Sequence, residues 1–123
     1  MRLAFLICLS LLVVGCKRTA TEDSTRREFD RHYAQWLIEC KRPEVAIRSD
    51  VRGYTGLPSY RAIVALGRPA LPYLQQKMEH DSGFDFMLAY AAVEIEGWND
   101  SEFHFSSVQE FRDQVLTKMR TQQ

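Results

Sequence analysis

Histidine is scarce in this chain. His32, His80 and His104 are its only three among 123 residues, and they lie too far apart to match the ligand spacing of a structural zinc site. No serine sits in a Gly-x-Ser-x-Gly elbow, and the six glycines form no loop of the kind that cradles phosphate. Cation excess is missing as well: 16 Lys and Arg face 16 Asp and Glu, which excludes the strongly basic surface typical of nucleic-acid binders. Long apolar runs are absent. Leu3–Val14, apolar apart from Ser10, covers 12 residues, whereas a helix that crosses a bilayer needs about 20. Together these absences leave few routes to catalysis, with catalytic and metal-ligating residues none, and turn attention to where the chain resides and what it binds.

What is present begins at the N-terminus. Met1 and Arg2 give a short positive start, the apolar run follows, and it closes on "LLVVGCKR", residues 11–18. This is the layout of an export signal. In place of an A-x-A cleavage site, Val13-Val14-Gly15-Cys16 resembles the lipobox of bacterial lipoproteins. That resemblance implies a diacylglyceryl group on the Cys16 sulfur, cleavage before Cys16, and often an acyl chain on the new amino terminus, so that the attached group is lipid rather than a cofactor. Two or three acyl chains hold a protein on a membrane far more firmly than the marginal grip of one. Lys17 lacks the aspartate that such lipoproteins carry for retention at the inner membrane. A cell membrane is therefore the expected address, and in a Gram-negative cell the outer membrane facing the periplasm.

Loss of residues 1–15 leaves 108 residues, enough for one domain with a modest core. Cys8 leaves with the signal and Cys16 takes lipid, so Cys40 remains; its place on an apolar helical stripe predicts a buried, inert thiol. Residues 16–23, the lipidated cysteine and "KRTATED", read as a short tether, and 24–123 as the single folded domain.

That domain reads as all-α, a small bundle of four to five helices. Phe29, Tyr33, Trp36, Leu37 and Cys40 recur on one face of a helix expected over 24–41, with Asp23 or Ser24 as N-cap and Pro43 as stop. A short helix is expected within 44–57. Pro58 suits a first turn, Gly67 is placed to end that helix in a left-handed conformation, and Pro69 starts the next, with Leu71, Leu74 and Met78 in line. A further helix is expected over 84–96 with Gly97 as its stop. Ser107 and Glu110 have the spacing of a capping box before Val108, Phe111, Val115 and Met119. No strand hairpin is signalled.

"YRAIVALG" at 60–67 and "YAAVEIEG" at 90–97 share Tyr, Ala and Gly at a period of 30 residues, a length that suits stacked helical hairpins. "AIVALGRPALPYL" resembles the short HEAT-like repeats of bacterial proteins; the second unit departs from the pattern, since "GWNDSEFHF" replaces the Gly-Arg-Pro corner. The resemblance implies a helical hairpin and a surface for protein partners rather than catalysis.

Two surface features compete for function. Tyr54 lies between glycine-containing turns, and Trp98 and Phe103 lie in the loop after Gly97; loop aromatics of this kind anchor protein interfaces. The rival is the acidic loop 94–104, in which Glu94, Glu102 and His104 would have to converge to serve a hydrolase. Charge is also uneven. Residues 41–68 hold six cations against two anions, and residues 69–123 four against nine, which fits either internal pairing or a two-signed surface that steers a partner.

The sequence thus points to a membrane-anchored envelope protein that binds another protein, in a specific form an immunity or inhibitor protein. An envelope hydrolase and a structural component of a membrane complex are the alternatives.

Overall fold

The computed structural model describes residues 20–48, 50–80 and 83–123; the expected signal segment 1–15, Cys16 and residues 17–19 lie outside them. Among the described residues the chain is all helical, with seven α-helices and no strand. They are α1 (Ala20–Cys40), α2 (Pro43–Ala46), α3 (Arg52–Thr55), α4 (Pro58–Ala65), α5 (Leu71–Glu79), α6 (Leu88–Glu96) and α7 (Val108–Thr121), with single 3₁₀ turns ahead of α5 and α6 and after α6. None of the described helices is long and apolar enough to cross a membrane.

The first helix starts earlier than its expected N-cap. Ala20–Asp23, assigned above to the tether, form its first turn. Glu22 and Asp23 favour the positive end of the helix dipole, and the Tyr73 hydroxyl of α5 donates to the Glu22 carbonyl at 3.2 Å. At the other end, Pro43 does more than stop α1: it opens α2 from the first helical position, where its missing N–H leaves no bond unmade.

Packing is organised around α6. Leu88, Ala89, Ala91, Ala92 and Val93 are all buried, and the alanines let α4, α5 and α7 approach from different sides. The inner face of α1 lies on α4 and on the turn before α5, whereas α7 lies on α5 and α6. Phe29, Trp36, Tyr60, Ile63, Leu74, Met78, Leu88, Phe111 and Val115 fill the space between them, all buried. The Gly67 corner therefore joins two helices whose main contacts are with others: α4 with α1 and α6, α5 with α6 and α7.

Polar groups taken into this core are matched. The Tyr33 hydroxyl donates to the buried Asp85 carboxylate. Burial, followed by that bond, raises the Tyr33 pKa. Buried Glu39 accepts from the Ser59 hydroxyl at 2.8 Å and the Ser59 N–H at 3.4 Å. A carboxylate from α1 thus meets the N-terminus of α4, where Leu57 offers no side-chain cap. Cys40 is buried, and burial together with the Glu39 charge pushes its thiol up to about 12.

The glycines at the ends of the two similar segments both have positive φ, but they are not equivalent. Gly97, at φ 69° and ψ 26°, is left-handed. Its N–H bonds to the Glu94 carbonyl and that of Trp98 to the Val93 carbonyl, forming a Schellman motif. Gly67 has φ 72° but ψ −157°, an extended region that essentially only glycine enters. Only a distant Pro69 atom would meet a Cβ there, so the cost of Gly67→Ala is one of backbone strain. We expect it to lower the unfolding free energy by about 1–3 kcal/mol, measurable by denaturant titration.

At α7 the capping box is shifted. Ser107 Oγ accepts from the Glu110 N–H at 3.2 Å as expected, but the Glu110 carboxylate reaches one residue further back, to the Ser106 N–H at 2.9 Å and the Ser106 hydroxyl at 2.8 Å. Those bonds hold the Glu110 pKa below its usual value.

Candidate functional site

The three aromatic candidates are less free than their loop positions suggest. Tyr54 is half-buried; its ring stacks on Phe84 at 5.4 Å, and its carbonyl accepts from Trp36 Nε1 at 3.0 Å. Phe103 corrects the expectation most. It is only 8% exposed and stands edge-on to Phe111 at 5.4 Å, because the 3₁₀ turn Asp100–Glu102 folds the loop back onto α7. The neighbouring Phe105, at the end of the same loop, keeps 42% of its surface exposed while packing on Phe111.

Trp98 is the candidate best placed for contact. The Schellman bond from its N–H fixes the backbone, and its half-buried ring sits 6.2 Å from Phe103 with the Lys118 ammonium 4.7 Å above it. Such a cation over an indole contributes about 0.5–1 kcal/mol at an exposed site and limits the rotamers open to the ring. Trp98 is therefore presented in one orientation without being consumed by the core.

Beside it lies a cleft of about 460 Å³ whose walls include Tyr60, Arg61, Tyr90, Glu94, Trp98 and Asp100. It opens between α4 and α6, the two helices whose sequences are similar. Tyr60 and Tyr90, equivalent in that similarity, both line it but differ in role. Tyr60 is buried with its hydroxyl on the Met87 carbonyl at 2.8 Å, whereas Tyr90 is half-buried against Phe111. Arg61 donates twice to the Glu94 carboxylate, Nη1 to Oε2 at 2.8 Å, and this pairing holds the Glu94 pKa below its usual value. The cleft thus offers the half-buried rings of Tyr90 and Trp98 beside the Arg61–Glu94 pair and Asp100, a mixed lining suited to the polar side chains of another protein.

The acidic loop does not assemble as a catalytic group would. Glu94 belongs to Arg61, Glu102 accepts from Lys118, and His104 is exposed with its carbonyl bonded to Gln114 Nε2. The cleft that Glu94 lines includes neither Glu102 nor His104. Among the described residues no three His, Cys, Asp or Glu side chains group as metal ligands would.

The uneven charge resolves partly into internal pairing: Arg61 with Glu94, and Arg68 with Glu96 at 3.9 Å, join the basic and acidic parts of the chain. Glu39, Asp85 and Ile38 had no place in the sequence reading. The first two gain meaning only from distant partners, but exposed Ile38 was detectable, since it falls opposite the Phe29–Trp36–Cys40 stripe.

Comparison with protein-family models, with curated proteins and with solved structures gives no match for this chain.

Proposed function

We propose that the chain is an envelope lipoprotein, held on the membrane by acyl groups on Cys16, that acts by binding another protein. The observation that carries the anchor is Val13-Val14-Gly15-Cys16 directly after a 12-residue apolar run with a cationic start. Lys17 favours the outer membrane of a Gram-negative cell. Support for binding comes from the pre-formed cleft and from Trp98, whose position is set by backbone and by Lys118 before any partner arrives; such pre-organisation lowers the entropic cost of association. The likeness to HEAT-like helical repeats, modules that present surfaces to proteins, agrees in kind with this reading. Its narrower form is an immunity or inhibitor protein that neutralises a toxin or hydrolase reaching the envelope.

The test is capture from the protein's own cells after mild crosslinking. Wild type should enrich one dominant protein, and Trp98→Ala should reduce its recovery by about tenfold or more, as loss of an aromatic hot spot does. Circular dichroism would show that the variant remains helical. Equal recovery by both would remove Trp98 from the interface, and enrichment of a constant set of membrane-complex subunits would favour the structural alternative.

A further inference from the structure

The outward face of α1 carries a row of cations that the fold leaves without partners. Arg27, Arg31, Ala34 and Ile38 follow one another at helical steps on the side opposite buried Phe29, Trp36 and Cys40, and exposed Arg42 follows just past the end of the helix on extended backbone. All five are exposed, and Ile38, at 58%, is a large apolar side chain set among charges. Carboxylates flank this row, Asp23 and Asp30 one helical step from Arg27 and Glu28 one from Arg31, yet the ion pair formed here joins Asp30 to Arg26 at 3.9 Å. Among the described residues, no ion pair involves Arg27, Arg31, Lys41 or Arg42.

Position in the chain would bring this helix close to a membrane if Cys16 carries lipid. Four residue steps separate Cys16 from Ala20, the start of α1, so an acylated Cys16 holds that end of the helix within about 14 Å of the lipid. Basic side chains so close to a bilayer are attracted to anionic headgroups, and an apolar side chain among them can enter the boundary between headgroup and acyl chain.

We infer that α1 lies along the bilayer through Arg27, Arg31, Ile38 and Arg42 and binds anionic lipid headgroups. The anchor supplies attachment; this face supplies orientation. No α1 residue lines the Trp98 cleft, so membrane and partner are met by separate surfaces. The inference rests on the lipoprotein reading of Cys16.

The experiment uses the full chain matured in its own cells and purified with its lipid. It is placed in vesicles of phosphatidylcholine alone or mixed with phosphatidylglycerol. A nitroxide is attached at Ile38→Cys, or at Thr117→Cys on the exposed side of α7 as control; buried Cys40, its thiol pushed up to about 12, does not compete for label. Phosphatidylglycerol should cut collisions of the Ile38 label with a water-soluble relaxant by about fivefold or more, leaving Thr117 unchanged. The combined Arg27→Gln, Arg31→Gln and Arg42→Gln variant should remove that difference. An Ile38 label equally open in both vesicles overturns the inference, as does protection that survives the triple substitution. Intact mass separates the two failures: a chain without lipid on Cys16 defeats anchor and orientation together, whereas a lipidated chain with an open Ile38 defeats only the orientation.

Discussion

Replacing Trp36 by alanine is expected to lower the unfolding free energy by about 3–5 kcal/mol, the range for deleting a large core aromatic. Trp36 is completely buried, its ring meets those of Tyr33 at 6.3 Å and Tyr60 at 5.5 Å, and its Nε1 donates to the Tyr54 carbonyl at 3.0 Å. It therefore joins α1 to α4 and also seats α3, which carries Tyr54. Against a total stability of about 5–15 kcal/mol for a domain of this kind, the loss takes a large share of the margin. Trp36→Phe keeps a six-membered ring but loses the N–H and part of the indole, so its cost should be the smaller, about 1–3 kcal/mol. Thermal unfolding followed by circular dichroism reads both; equal melting temperatures for wild type and Trp36→Ala would refute this packing.

Cys16→Ser should have the largest effect on behaviour and none on the fold. Each buried methylene contributes about 0.8 kcal/mol, and a single acyl chain binds only reversibly, so two or three chains make the difference between a membrane protein and a released one. Serine supplies no thiol for the diacylglyceryl group. The variant should shift out of the lipidated membrane fraction, and it should retain residues 1–15, since cleavage in lipoproteins follows lipid transfer. Its domain should melt with the wild type, because the buried core is built from residues Phe29 to Met119. Detergent phase partition and a melting curve on the same two samples check both statements.

Features governed by near neighbours were legible in the sequence. Pro58 at a first turn, Gly97 as a left-handed stop and Ser107 as a cap each depend on residues within a few positions, and each stands where local rules put it. Cys40 followed from helical period alone. Features that depend on contact across the fold were not legible. Glu39 meets Ser59 across 20 positions, Arg61 meets Glu94 across 33, and Tyr33 meets Asp85 across 52; nothing local marks any of these as pairs. The early start of α1 at Ala20 has the same origin, for it draws on Tyr73, 51 positions from Glu22.

The aromatic candidates show the same limit from the functional side. Glycine-rich surroundings placed Tyr54, Trp98 and Phe103 in loops, but Tyr54 stands in α3, and for the other two loop residence does not decide exposure. A single 3₁₀ turn sends Phe103 inward against Phe111, while the Schellman bond holds Trp98 at the edge of the cleft. The cleft itself, built from α4 and α6, could not be read from either segment separately, because its walls come from residues about thirty positions apart.

The proposed anchor at Cys16 underlies both the proposed address and the proposed orientation of α1, and one measurement tests it directly: the intact mass of the mature chain isolated from its membrane. The account predicts a chain that begins at Cys16 and carries the added mass of a diacylglyceryl group, with or without a further acyl chain. A chain that keeps residues 1–15, or one that begins at Cys16 without lipid, would contradict it.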